Sequence, residues 1–581
     1  MCYTKDVFKK PFLIGLVVLG LFGFSQFAWG AELKTTTILD LKEKQILFRY
    51  GGLEKTNIFL CQTTNLSCQN LGSTTPAEVS DPFTDPEPLS TKIKNIKFDR
   101  TNATRVTLSP DEKWLAYYDP ALANKETERK FVLLNLQANA KRKINEVTSP
   151  VNYWDLLTED LRLFYFSPDS QSLVYLDDRS GYPSLYLVDL GQINKSAPTS
   201  QNLLPGKQIT QKKYTIADFL LWDANTLYFT ANREGAHHWS LYRYDLLTLK
   251  LEKIADDISY NQRMHQIDGK LLFLQIKNNS TVPVLYNPAT KIISYFPTFP
   301  ANPPVRGYTE KEIKLGPAGP NQLSGVLMQP ANYSTQTRRP LIIWLHGGPY
   351  RQVSLGYHSY LGYAIYDWLM GEMAKNGLPG QGALVLKLDY RGSYGYGRTF
   401  AESIREQVGQ GDVADVTTAL TALKKTTKIS QVYLVGNSYG GYLALKTIVE
   451  NPRSFAGAMS INGVMDWFVL LDKLENSIFN TLFGGLLVEK NSDIYYQADI
   501  ADRIKNLTNQ KIVLVQAQAD HTVPTSQADY IYDLFVRRNR LATLAKYPGE
   551  DHVFKKISSL ENICQRLSTM TNLPANCQWS D

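Results

Sequence analysis

Ser438 stands at the centre of Gly436-Asn437-Ser438-Tyr439-Gly440-Gly441-Tyr442, with a glycine two residues to either side. The apolar run Val432-Tyr433-Leu434-Val435 precedes it, and Leu443-Ala444-Leu445-Lys446-Thr447-Ile448-Val449 follows. That order predicts a strand, a tight turn and a helix, with the serine hydroxyl exposed at the turn and the Tyr439 N–H aimed at the same space. The glycines suit a turn too sharp and crowded for side chains. A serine hydroxyl is a poor nucleophile at neutral pH. It needs a histidine to accept its proton and a carboxylate to orient that histidine. The chain holds 7 histidines, and only His521 and His552 follow Ser438.

His552 lies in Tyr547-Pro548-Gly549-Glu550-Asp551-His552-Val553-Phe554, behind the strand-like Leu544-Ala545-Lys546-Tyr547 and a turn signal. This predicts a loop at a strand end, where a mobile base belongs. Asp520 follows the apolar Lys511-Ile512-Val513-Leu514-Val515-Gln516-Ala517 and precedes a helix-like stretch from Gln527. A carboxylate just past a strand's C-terminal end sits where ligands meet an open α/β sheet; the competing reading is a helix N-cap. His521, beside Asp520, is a secondary candidate for the base. Upstream, Leu341-Ile342-Ile343-Trp344-Leu345 predicts a buried strand, and His346-Gly347-Gly348-Pro349 follows directly. Glycines there let backbone approach a substrate carbonyl. The N–H groups of Gly348 and Tyr439 would together hold a developing oxyanion. The same Gly-Gly-Pro is also plain turn chemistry.

These phrases, with Asp389-Tyr390-Arg391-Gly392-Ser393-Tyr394-Gly395-Tyr396-Gly397 and Asp520-His521-Thr522-Val523-Pro524, resemble the prolyl oligopeptidase family of serine peptidases in order and spacing. The His-Gly-Gly-Pro form is similar to the acylaminoacyl-peptidase branch. The resemblance implies a C-terminal α/β-hydrolase domain over residues 305–581, doubly wound on a mostly parallel sheet, and an N-terminal all-β propeller over 31–300. It implies Ser438, Asp520 and His552 as a catalytic triad with an acyl-enzyme intermediate; no Walker, dinucleotide or zinc motif is present, so no cofactor and no metal are expected. Other branches carry a tyrosine at the position of His346 and an arginine or asparagine at that of Thr522. A threonine cannot reach as far or supply the same donors. His346, Trp467, Phe468, Thr522 and Val523 are therefore the candidate pocket residues, although core packing is the plainer role for Trp467 and Phe468. A peptidase acting on short peptides is expected. A carboxylesterase acting on small acyl esters is the alternative, and a non-enzymatic propeller protein the third.

The N-terminal half repeats itself. Leu108-Ser109-Pro110-Asp111 and Phe166-Ser167-Pro168-Asp169 each open an alternating apolar strand. A third copy, from Leu221, lacks Ser-Pro-Asp, and weaker copies begin near Gln45 and Gly269. A period of about 45–60 residues suits four-stranded propeller blades. Five or six are expected, with another all-β sandwich as the alternative. The loops Ala231-Asn232-Arg233-Glu234-Gly235 and Leu176-Asp177-Asp178-Arg179-Ser180-Gly181 look like hairpin turns rather than sites. Proline-rich residues 298–306 mark the domain boundary.

Lys5, Lys9 and Lys10, an apolar run over 12–24 and Ala28-Trp29-Gly30 predict a secretory signal peptide at 1–30. An uncleaved anchor is the alternative; once the segment is cleaved, no stable membrane insertion is expected. In an oxidising compartment, periplasmic or extracellular, Cys61, Cys68, Cys564 and Cys577 would form two local disulfides. The formal charge of +7 is mixed in sign along the chain. No basic cluster with interleaved aromatics points to nucleic acid. A homo-oligomer is compatible with the sequence.

Overall fold

A computed structural model describes residues 35–578, except 43, 52–55, 75–103, 120–128, 138–139, 148–162, 194–205, 211–212, 260–262, 278–279, 300–306, 320, 357–360, 376–381, 474–477 and 486–490. The expected signal segment, the stretch 75–103 and most of the proline-rich boundary lie outside the described residues.

Before residue 300 the described strands form five four-stranded antiparallel sheets, each a simple meander in chain order. The first runs from Thr35–Lys42 to Cys68–Thr74, and the second from Thr104–Leu108 to Ala140–Val147. The third runs from Phe164–Phe166 to Lys207–Gln208 and the fourth from Ile216–Leu221 to Leu251–Ala255. The fifth runs from His265–Ile267 to Ile292–Tyr295. The repeats seen in the sequence are these sheets. In the second, the Ser109 hydroxyl donates to Asp111 and accepts from the Trp114 N–H, which fixes the turn into the strand Trp114–Asp119. Ser167 does the same in the third. The fourth replaces the device with Asp223, whose Oδ1 accepts the Asn225 and Thr226 N–H groups, both at 2.7 Å.

Large apolar residues from neighbouring sheets interlock. Leu220, Tyr228 and Leu241 of the fourth pack with Leu271, Phe273 and Tyr286 of the fifth. The chain's first sheet also packs on its fifth, with Phe48 edge-on to Phe296 and Phe299 at 5.4 and 5.3 Å. The sequence of sheets therefore turns back on itself.

The C-terminal part is built on one eight-stranded sheet. In spatial order its strands are Tyr308–Leu315, Leu323–Pro330, Leu384–Asp389, Arg339–Leu345, Ile429–Asn437, Gly457–Ile461, Lys511–Ala517 and Ala542–Tyr547. The first two pairings are antiparallel and the rest parallel. Parallel strands covered on both faces read as continuous apolar runs. Accordingly Leu384–Asp389 is buried at every position. Helices Tyr439–Glu450 and Ile557–Thr571 are among those that pack against this sheet.

The two regions meet along residues 389–398. Trp239 stacks on Tyr394 with ring centroids 6.1 Å apart. Asn232 Nδ2 donates to Gly395 O at 2.9 Å, Gln352 Nε2 to Ala236 O at 2.7 Å, and the Arg398 N–H to Gly181 O at 2.7 Å. The loops at 176–181 and 231–235 are turns, as the sequence predicts. They are also docking points of the sheet region on the C-terminal region, a role that carries no mark in the sequence.

Both disulfides are present. Cys61–Cys68 joins register partners of one hairpin, and Cys564–Cys577 ties the C-terminal tail to the helix Ile557–Thr571. The second closes a 13-residue separation. Replacing both of its cysteines by serine is expected to lower unfolding stability by about 3 kcal/mol, read as a lower urea midpoint. An unchanged midpoint would mean that packing alone holds the tail. Among the described residues no helix is long and apolar enough to cross a membrane.

Candidate active site

The site is a row of strand ends. In the parallel part of the sheet Leu345 pairs with Gly436, Asn437 with Ile461, Ile461 with Val515, and Ala517 with Tyr547. Each sequence-predicted element follows one of these ends: residues 346–348, Ser438, Asp520 and His552. Parallel register thus gathers residues that lie far apart in the chain.

Ser438 sits between the strand Ile429–Asn437 and the helix Tyr439–Glu450 with φ 53° and ψ −120°. Such a left-handed position on a non-glycine residue is strained and persists only where the surroundings enforce it. The surroundings here are glycines. A Cβ on Gly436 would lie 2.2 Å from Gly440 O, and one on Gly440 would lie 2.0 Å from Leu345 O. The Ser438 N–H donates to Ile461 O at 2.8 Å, which pins the turn to the neighbouring strand. The side chain is half-buried and makes no capping bond. Tyr439 is the first helical residue, so its N–H has no intrahelical acceptor.

His552 Nδ1 lies 2.8 Å from Asp520 Oδ2. The other carboxylate oxygen, Oδ1, accepts the N–H groups of Thr522 and Val523 at 2.8 and 2.7 Å. Asp520 is not a helix cap, because the next helix, Thr525–Arg537, begins five residues later. His521 is exposed, and the structure pairs Asp520 with His552. Asn462, which the sequence reading missed, ties the parts together. Its Nδ2 donates to His552 O at 2.9 Å and its Oδ1 accepts the Ala517 N–H at 2.8 Å. It directly follows Ile461, the acceptor for Ser438.

Gly348 has φ 123°, a region that excludes side chains, and a Cβ there would meet Tyr350 N at 2.7 Å. His346 is fully buried. Its Nδ1 lies 2.7 Å from Gly347 O, and its Nε2 lies 2.9 Å from Ser393 Oγ and 3.4 Å from Asp389 Oδ1. Tyr390 stacks on the His346 ring at 4.6 Å and donates to His346 O. It also stacks on Tyr439, with centroids 5.8 Å apart. One tyrosine thus backs both the Gly348 loop and the Ser438 turn. The Tyr439 hydroxyl donates to Asp412 Oδ2 at 2.6 Å. Burial pushes the Asp412 carboxyl up to about 6, against the hydrogen bonds from Tyr439 and the Val413 N–H that favour its charged form.

The expected pocket residues separate. His346 does not line an open pocket, because its ring is enclosed between Tyr390, Ser393 and Asp389. Trp467 is buried among Tyr439, Tyr442 and Phe483, so it is core. Val523 is also core. Phe468 departs from core packing, being 50% exposed. Thr522 is exposed. Glu234 accepts from Ser240 and Tyr242, in keeping with a turn. Among the described residues no cluster of His, Cys, Asp and Glu could hold a metal ion.

A mostly parallel sheet, a strained serine between strand and helix, and an Asp–His pair at the next strand ends define a class, that of serine hydrolases. Comparison with known proteins narrows it. Residues 375–571 match the model of the prolyl oligopeptidase family and residues 87–281 that of the dipeptidyl peptidase IV N-terminal region. The C-terminal region is thus similar to the prolyl oligopeptidase family of serine peptidases. Among its relatives is the acylamino-acid-releasing enzyme of Rattus norvegicus, 25% identical over 40% of this chain and 31% of the relative. Dipeptidyl-peptidase 5 of Porphyromonas gingivalis is 23% identical over 67% of this chain and 55% of the relative. The matched part thus spans about a third to a half of these relatives' lengths. In fold, the chain is similar to a puromycin-hydrolyzing peptidase of Mycobacterium tuberculosis, with a TM-score of 0.66 and 14% identity, covering 94% of this chain and 88% of that one.

Proposed function

We propose that the protein is an exported serine peptidase that hydrolyses short peptides through an acyl-enzyme. The observation that carries the reading is the 2.8 Å contact between His552 Nδ1 and Asp520 Oδ2 beside the strained Ser438. Asp520 holds His552 with the proton on Nδ1, leaving Nε2 free to act as base. Ser438 Oγ attacks the substrate carbonyl carbon while His552 Nε2 takes its proton. The N–H groups of Tyr439 and Gly348 stabilise the oxyanion. His552 then returns the proton to the leaving amine, and water releases the acyl group by the same steps.

The five sheets, with the first packed on the fifth, support a reading as a five-bladed propeller over residues 31–300. The α/β-hydrolase domain spans 305–581. A propeller docked beside the site limits access and favours short substrates. The two disulfides support export, with residues 1–30 as the signal.

Acyl-peptide anilides should be cleaved, with a kcat/KM that rises when peptide residues are added on the acyl side. Hydrolysis of simple acyl esters without measurable cleavage of the anilides would replace the peptidase reading with a carboxylesterase. A defined peptide library with free and blocked N-termini then reads which end is cleaved.

A further inference from the structure

His237 belongs to the sheet domain, in the loop between the strands Thr226–Ala231 and Ser240–Asp245, yet its ring is fully buried against the catalytic domain. Nε2 lies 2.8 Å from Asp389 Oδ2, and Nδ1 lies 3.1 Å from Glu312 Oε2. Asp389 ends the strand Leu384–Asp389 and is itself shared. Its Oδ2 also accepts the Tyr396 hydroxyl at 2.6 Å. Its Oδ1 accepts the Val353 N–H at 2.9 Å and faces His346 Nε2 at 3.4 Å. On the far side of that ring, Nδ1 meets Gly347 O at 2.7 Å. A carbonyl oxygen can only accept, so Nδ1 donates in this contact; the Ser393 hydroxyl already donates to Tyr390 O at 2.7 Å, so Nε2 donates as well, toward Ser393 Oγ and Asp389 Oδ1. Gly347 C=O and Gly348 N–H are opposite ends of one planar peptide unit. Whatever fixes the direction of that carbonyl fixes the direction of the Gly348 N–H.

We propose that His237 is a positioning residue for the oxyanion hole, acting across the domain interface through Asp389 and His346 on the Gly347–Gly348 peptide. The inference rests on the hydrolase reading, in which the Gly348 N–H is an oxyanion donor. Its content is that the hole is complete only when the sheet domain is docked. Gly348 cannot supply the orientation by itself, because a glycine at φ 123° has no side chain to hold it and little intrinsic preference to stay there. The buried charges agree with a strong link. Burial would lower the His237 pKa, but Asp389 and Glu312 outweigh it and hold it above the ordinary histidine value. Burial would raise that of Asp389, but His237 and His346 outweigh it and bring it down to about 2.

The test compares His237→Gln with His237→Asn and His237→Ala in the full-length chain. Gln reaches about as far as Nε2 and can still donate to Asp389, whereas Asn is too short and Ala has no donor. With an acyl-peptide anilide, His237→Asn and His237→Ala should lower kcat roughly 10- to 100-fold with KM little changed, as for small misplacements of catalytic groups. His237→Gln should stay within about threefold of the unmodified chain, a margin below one tenfold step of 1.4 kcal/mol. A peptide aldehyde, whose adduct carries the oxyanion, should lose affinity in parallel with kcat. Replacing Cys564 and Cys577 by serine removes a disulfide outside this chain of contacts and away from the docking bonds, and should lower thermal stability while keeping kcat. Equal kcat for Gln and Asn, or a loss confined to KM, would overturn the proposal and leave His237 as interface packing. If His237→Ala does not fold, the Gln–Asn comparison decides alone. Labelling by a fluorophosphonate, lost in Ser438→Ala, checks the hydrolase reading separately. An unlabelled parent chain overturns that reading and the relay with it, whereas a labelled parent with an insensitive His237 overturns the relay alone.

Discussion

Replacing Ser438 by alanine is expected to lower kcat on the order of 10⁵-fold while moving the thermal midpoint by no more than a degree or two. The two halves of this expectation have separate causes. The hydroxyl is the only group lost, and in the proposed mechanism its oxygen forms the covalent bond. Without it the Asp520–His552 pair has nothing to activate, and only binding and oxyanion stabilisation remain. Stability is spared because Ser438 is half-buried and its side chain makes no capping bond. The backbone strain at φ 53° is enforced by Gly436, Gly440 and the bond to Ile461 O, none of which the substitution touches. Turnover of an acyl-peptide anilide by enzyme quantified by absorbance, beside a calorimetric scan, reads both halves. Retained turnover above about one tenth would require another nucleophile, since one tenfold step is only 1.4 kcal/mol of transition-state stabilisation. Gly440→Ala makes the contrast: it leaves every catalytic atom in place but puts a Cβ 2.0 Å from Leu345 O, so its damage falls on folding.

What was legible in the sequence was local. Parallel strands announce themselves as unbroken apolar runs, so the strand ends followed by Ser438, Asp520 and His552 could be placed from their neighbours alone. The strand-turn-serine-helix order and the two hairpin cysteines belong to the same kind of signal, confined to a dozen residues. The Ser-Pro-Asp turns were legible for the same reason, and Asp223 shows how one chemical solution hides behind another residue. Non-local roles were not legible. Asn462 reaches His552 across 90 positions, and His237 reaches Asp389 across 152. An asparagine after a strand and a histidine in a hairpin loop carry no mark of such partners. His346 misled for a related reason: its place in a catalytic phrase suggested a pocket wall, whereas burial against Tyr390, Ser393 and Asp389 turned its ring away from open space. Trp467 and Phe468 are adjacent and have opposite fates, buried and half-exposed, because successive residues of the helix Trp467–Lys473 point in different directions.

Asp520→Asn is the second large effect, expected to lower kcat about 10⁴-fold at neutral pH with the fold kept. The argument turns on how the two oxygens are used. Oδ1 accepts two backbone N–H groups, from Thr522 and Val523, and a carboxamide oxygen can accept both as well. That requirement fixes which way an asparagine amide faces. Its NH₂ must then take the place of Oδ2, 2.8 Å from His552 Nδ1. A donor in that position demands an acceptor, so the ring moves its proton from Nδ1 to Nε2. In the proposed mechanism Nε2 takes the proton from Ser438, and once protonated it cannot. The geometry survives and the base is lost, which separates this variant from one that merely loosens the loop. The loop has further anchors, with Asn462 holding His552 O and Asp551 Oδ1 accepting the His552 N–H at 2.7 Å. Asp551→Asn serves as the matched control, since among the described residues its carboxylate bonds only backbone N–H groups, those of His552 and His521, and an amide oxygen can replace it. It should cost less than about tenfold, or 1.4 kcal/mol. Measured together by kcat/KM against pH, a large loss in Asp520→Asn and a small one in Asp551→Asn assign the orienting carboxylate. Comparable small losses in both would reduce Asp520 to a turn residue and leave His552 without its partner.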